Sequence, residues 1–183
     1  MEKRTNETIT LGSGKVYIKE YTGTIPENSA LEVMTNLLAW IKGGAALEYS
    51  MDFYEASDDL GMVSKRKMTV EKADLKTGIM TWNGETLKYL STTAKVAEDA
   101  GIRTTKLGGA DSGKQYIVHF VHEDPVDGDV RVTIVGQNTS GFTLTFKPDE
   151  ETVIDAVFSA TKGKLDDVGT LVIIQEEIGA SVP

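Results

Sequence analysis

The second half of this chain is a succession of short β-prone runs, each closed by glycine, proline, aspartate or asparagine. That punctuation points to an antiparallel β architecture. The runs occupy residues 116–121, 130–135, 142–146, 153–160 and 171–174. Two of them alternate plainly: Val130, Val132 and Ile134 against Arg131 and Thr133, then Phe142, Leu144 and Phe146 against Thr143 and Thr145. A period of two places one face on a core and the other in solvent. Residues 116–121 are apolar on both faces except at His119, as expected of a central strand covered on both sides.

The first half mixes periods. Residues 16–21 form a β-prone run closed by Gly23 and Pro26. Leu31, Met34, Leu37, Leu38 and Ile41 follow helical spacing, so a helix is predicted over 31–41, with Ser29 as N-cap and Gly43-Gly44 as its stop. Leu47, Tyr49, Met51 and Phe53 alternate with Glu48, Ser50 and Asp52, which makes residues 47–53 the cleanest strand in this half. The turn-like Ala56-Ser57-Asp58-Asp59-Leu60-Gly61 and the basic Ser64-Lys65-Arg66-Lys67 follow, before Met68 and Val70 resume a strand. A long exposed loop or hairpin tip over 54–67 is therefore expected. A second, short helix is predicted over 85–93, capped near Asn83. So many strands with one or two helices describe a mainly β fold, a sandwich or barrel of antiparallel strands with a helix laid against it.

The length of 183 residues suits one domain, 1–183, with an N-terminal arm over 1–13 and a short tail over 179–183. With 40% hydrophobic and 26% charged residues the composition is that of a globular protein. There is no cysteine, so disulfides, thiol catalysis and cysteine-ligated metals are excluded. The formal charge of -9, from 28 acidic and 19 basic residues, disfavours a nucleic-acid-binding or anionic-lipid-binding surface. The same field suits a protein past which DNA must slide without sticking. No apolar run approaches a bilayer span, and residues 1–10 lack the apolar core of a signal peptide, so a soluble protein made in the cytoplasm is expected.

Each motif that hints at chemistry has a plainer explanation. Gly108-Gly109-Ala110-Asp111-Ser112-Gly113-Lys114 matches G-x-x-x-x-G-K, but Gln115 stands where a magnesium-binding hydroxyl is needed, and Tyr116-Ile117-Val118 reads as strand where a helix must begin. His119 and His122, the only histidines, fall on opposite faces of a strand and cannot both reach one metal. Asp127-Gly128-Asp129 lacks the remainder of a calcium loop. No serine sits in a nucleophile elbow. No catalytic residue, metal or cofactor is expected, and the chain is read as a structural subunit. A carbohydrate-binding β-sandwich module on a virion or cell surface is the alternative, and it requires an exposed aromatic platform.

Lys42-Gly43-Gly44-Ala45 leading into Leu47-Glu48-Tyr49, and Lys76-Thr77-Gly78-Ile79-Met80-Thr81-Trp82-Asn83-Gly84, resemble segments of the tail tube proteins of tailed phages of Gram-positive bacteria. So do Phe120-Val121-His122-Glu123-Asp124-Pro125-Val126-Asp127-Gly128-Asp129, Phe146-Lys147-Pro148-Asp149-Glu150, and Thr152-Val153-Ile154-Asp155-Ala156 with Gly169-Thr170-Leu171. The resemblance runs over residues 16–178. It implies a fold related to the tube subunits of contractile tails and type VI secretion systems, and homohexameric rings stacked into a tube through which the genome is ejected. It also implies a place in the virion tail, assembled in the host cytoplasm without membrane insertion, with tape measure, tail terminator and baseplate or tip proteins as partners. DNA would be met only in transit. Within that frame Glu48 and Asp52 are expected to face the lumen and repel DNA. Tyr54, Asp58, Asp59, Lys65, Arg66 and Lys67 are expected to reach a neighbouring subunit or the next ring. Residues 31–41 suit a loop docked on another subunit as well as they suit a helix.

Overall fold

The computed structural model describes residues 14–125 and 128–177. The arm over 1–13 and the tail over 179–183 lie outside the described residues. The chain is mainly β, its strands paired antiparallel. β1 (Lys15–Glu20) is followed by one short helical turn, α1 (Asn28–Leu31), a single 3-10 turn at Met34–Asn36 and the edge strand β2 (Leu37–Ala39). Two long strands follow, β3 (Ile41–Ser57) and β4 (Ser64–Ile79), and then α2 (Gly84–Leu90). β5 (Lys95–Asp99) and β6 (Ile102–Lys106) form a separate hairpin. β7 (Tyr116–His122), β8 (Val130–Asn138), β9 (Ile154–Ala160) and β10 (Val172–Glu176) complete the chain.

The main sheet runs β2-β1-β7-β8-β9-β4-β3. One edge of β8 is divided: β10 pairs with its first half, Val130 to Ile134, and β9 with its end, Gly136 to Asn138. That division lets the sheet curl, so that β1, β2, β4, β7, β8, β9 and the flanking α2 all contribute to one core. Phe158, Leu75, Ile79, Ile134, Ile154 and Leu90 are its largest fully buried members. Gly136 makes the close crossing there, since a Cβ on it would lie 1.9 Å from the Ser159 carbonyl oxygen. On the outer face of β7 and β8, Ile117 and Val135 pair in register and are covered by Leu31, with Tyr21, Ile25 and Leu165 around them. β7 is thus covered on both faces, as its sequence requires.

α2 starts where expected, capped by Asn83, but ends at Leu90 and not at residue 93. Asn83 accepts bonds from the Glu85 and Thr86 amides at 2.8 and 3.1 Å, while the Thr86 hydroxyl accepts from the Asn83 amide. The helix predicted over 31–41 does not form. Its apolar residues serve different surfaces: Leu31 enters the outer cluster, Leu38 the main core, and Met34 faces solvent. The Asn36 side-chain amide caps the carbonyls of Ala30 and Leu31, and Leu37 and Ala39 pair with β1 instead. Residues 142–146 are not a strand either. Phe142 and Leu144 do pack on the core while Thr143 and Thr145 face out, but the backbone joins no ladder. Phe146 is exposed, its ring 6.3 Å from that of Trp82.

Candidate assembly surface

β3 and β4 pair over nearly their whole lengths, but β9 lies beside β4 only from Asp74 to Ile79. Beyond that support the two strands continue alone as a ribbon, β3 over 48–57 and β4 over 64–73. At ~3.3 Å per residue it projects about 30 Å. The register assigns its faces. Leu47 opposes Leu75, Tyr49 opposes Ala73, Met51 opposes Glu71 and Phe53 opposes Met68. These residues continue outward the surface that faces the core, where Ala45, Leu47 and Leu75 pack. Glu48, Ser50, Asp52 and Tyr54 line the other face, opposite Asp74, Lys72, Val70 and Lys67. A bulge between Asp52 and Phe53 leaves Thr69 without a partner and adds twist.

Alternating apolar residues stand on a ribbon over which, among the described residues, no other strand or helix packs. Tyr49, Met51, Phe53 and Met68 on the apolar face are between 40% and 50% exposed, and on the opposite face Val70 and Tyr54 are 38% and 64% exposed. At the tip the Asp58 carboxylate accepts from the Val63 amide at 2.8 Å, and Gly61 takes a left-handed φ of 67°. That turn presents Leu60, Met62 and Val63 to solvent, the first at 84% exposure. Nearer the body, Tyr49 donates to Glu71 at 2.5 Å and Lys162 reaches the same carboxylate at 3.1 Å. The bond to Glu71 raises the Tyr49 phenol above its ordinary value, and Tyr49 and Lys162 together hold Glu71 below that of a free carboxylate.

The expected loop over 54–67 is a correction: strands run to Ser57 and from Ser64, so the loop is 58–63 and the remainder is hairpin. Tyr54, Lys65 and Lys67 lie on the polar face, and Asp58 and Asp59 lie at the tip. Arg66 lies on the apolar face, its guanidinium 4.1 Å from the centre of the Phe53 ring. Glu48 and Asp52 share the polar face as expected, but Glu48 is paired with Lys76 at 2.6 Å. Lys65, Lys67, Lys72 and Lys76 lie on that face beside Glu48, Asp52 and Asp74, so it carries both signs. Sequence reasoning missed Tyr49, Met51, Phe53 and Met68 as surface residues, because alternation places them on an apolar face without saying what covers it.

The motifs that hinted at chemistry are accounted for elsewhere. Residues 107–115 form an irregular connection from β6 to β7 with no helix after it, and Lys114 is paired with Glu20 at 2.7 Å. Among the described residues no three His, Asp or Glu side chains converge as a metal site would require. His119 is fully buried, its Nδ1 2.8 Å from the Thr133 hydroxyl and its Nε2 3.1 Å from Glu32. Glu32 also accepts from Arg131 Nε at 2.6 Å, and Arg131 donates further to Glu177 and Asp129. This network fastens the α1 segment and the end of β10 to the outer face of β7 and β8. Among the described residues no helix is long and apolar enough to cross a membrane. A comparison with protein-family models finds no match to this chain, and a comparison with curated protein sequences finds none either.

Proposed function

We propose that this chain is a structural subunit that assembles with copies of itself through the β3–β4 ribbon, as the tube-forming subunit of a phage tail whose hexameric rings stack into a conduit for genome ejection. One observation carries the reading: a ribbon of two strands, about 30 Å long, holds an apolar face in solvent and, among the described residues, has no further strand paired along either edge. A two-stranded hairpin standing alone is marginal in water, and three or more strands are needed for independent stability. An exposed edge of this length is also a template for another strand, and closing a ring of copies removes the edges. The apolar stripe gives the second copy something to cover, and the sequence resemblance supplies the ring and tube. DNA in transit is the expected cargo; the net charge of -9 disfavours its retention by the chain as a whole, while the polar face of the ribbon, with four lysines beside three acids, does not by itself repel it.

Negative-stain imaging of the purified chain at rising concentration tests the proposal. Rings or tubes of uniform bore are the expected result. A chain that sediments as a monomer throughout, with its ribbon intact, would contradict it.

A further inference from the structure

The two arms of the ribbon differ in charge along the lengths where they have only each other as partners. From residue 48 to 57, β3 carries Glu48, Asp52 and Glu55 and no basic residue, and Asp58 and Asp59 follow at the tip. From residue 64 to 73, β4 carries Lys65, Arg66, Lys67 and Lys72 against the single acid Glu71. Most of these charges are not used within the chain. Glu48 is taken by Lys76 and Glu71 by Lys162, but among the described residues Asp52, Glu55, Lys65, Arg66, Lys67 and Lys72 have no ion-pair partner. Arg66, although opposite Glu55 in the ladder, turns instead onto the Phe53 ring.

The edges are free on the same lengths. The outer edge of β3 has no strand beside it among the described residues, and β4 has only β3 beside it from 64 to 73. Two copies can join edges in three ways. A two-fold pairing of β3 with β3 sets two acidic edges side by side, and a two-fold pairing of β4 with β4 sets two basic ones side by side. Like charges directly across a ladder destabilise it. Only β3 against the neighbour's β4 brings opposite signs together. With the two ribbons pointing the same way, that contact is antiparallel like the pairing within the ribbon.

We infer that the ribbon's edges are a charge-matched pair of interfaces that admits a second copy of this chain in one sense only, acidic β3 edge to basic β4 edge. This rests on the assembly reading above, in which a ring already requires a head-to-tail contact, and adds which surfaces make it and what selects them: the acidic β3 edge of one copy and the basic β4 edge of the next.

Two charge-reversed variants test it. Asp52→Lys with Glu55→Lys makes both edges basic, and Lys65→Glu with Arg66→Glu and Lys67→Glu makes both acidic. Each alone, at low ionic strength, is expected to lose assembled material at least ~10-fold by sedimentation and electron microscopy. An equimolar mixture is expected to assemble again, within about threefold of the unmodified chain, because every β3–β4 contact in an alternating array is then between opposite signs. Circular dichroism and thermal melting of each variant establish that the body is folded, and the neutral pair Asp52→Asn with Glu55→Gln is expected to assemble to an intermediate extent. Variants that assemble alone as well as the unmodified chain, or folded variants that do not recover on mixing, overturn the inference and leave the assembly reading standing. An unmodified chain that never assembles overturns both.

Discussion

Arg131 binds three carboxylates from three parts of the chain: Glu32 beyond α1, Asp129 at the head of β8 and Glu177 beyond β10. Burial alone would raise the Glu32 carboxyl, but its bonds to Arg131 and His119 hold it below the ordinary glutamate value of 4.5. Burial also pushes His119 below its ordinary 6.5, and Glu32 only partly offsets that. Both folded values lie under the unfolded ones, so the unfolded chain binds more protons and acid destabilises the fold. Urea midpoints are therefore expected to fall first as pH drops below 6.5, through His119, and again below 4.5, through Glu32. The first step should vanish in His119→Gln. At neutral pH, Glu32→Gln is expected to cost about 1–3 kcal/mol, measured by denaturant titration, because Arg131 and His119 lose a charged acceptor in a partly buried site. Little of this was legible beforehand. His119 is visible in the sequence as the one exception in the apolar run 116–121, but Glu32 lies 87 residues away and carries no local signal of its role.

Local chemistry decided which elements could be read from sequence. α2 was legible because its start is encoded in four consecutive residues, Asn83 to Thr86. Asn83→Ala is accordingly expected to cost about 1 kcal/mol in thermal or chemical denaturation. Residues 31–41 misled because helical spacing in a short window does not show that Leu31 and Leu38 enter separate clusters. Residues 142–146 misled in the opposite way: the alternation was real and the burial follows it, but periodicity reports which side chains are covered and not whether the backbone has a partner. The β5–β6 hairpin was missed because Lys95–Asp99 has almost no apolar alternation. Its signal was the turn at Ala100-Gly101, both with positive φ. Gly136 marks a constraint that no pattern reveals. Gly136→Ala drives a methyl into the Ser159 carbonyl and is expected to destabilise the chain by about 1–3 kcal/mol, read as a lowered urea midpoint.

At the scale of the whole molecule the body and the ribbon are separable. The core lies between the curled sheet and α2, and of the ribbon's two strands only the parts at or before Leu47 and from Ala73 onward contribute buried or partly buried apolar side chains. Replacing residues 51–70 with a short turn is therefore expected to leave the thermal midpoint within a few degrees of the full chain while abolishing rings or tubes in micrographs. Each arm of the ribbon was legible as a strand. Its reach was not, since the same alternation serves a strand that faces its own core and one that faces another molecule. The root of the ribbon has a consequence of its own. Between the pairs Lys42–Gly78 and Ala45–Thr77, β3 carries two extra residues, Gly43 and Gly44, with φ of 83° and 76° and open space where side chains would stand. Bulk would fit there, but the left-handed backbone disfavours it, so these two residues fix the lean of the ribbon against the body. In a closed circle of identical copies the lean of each against the next must sum to one full revolution, about 60° apiece for six. In the proposed ring the direction in which the ribbon leaves the body decides where it meets its neighbour, so a residue that forces Gly43 or Gly44 out of its left-handed form is expected to change the ring diameter seen in micrographs.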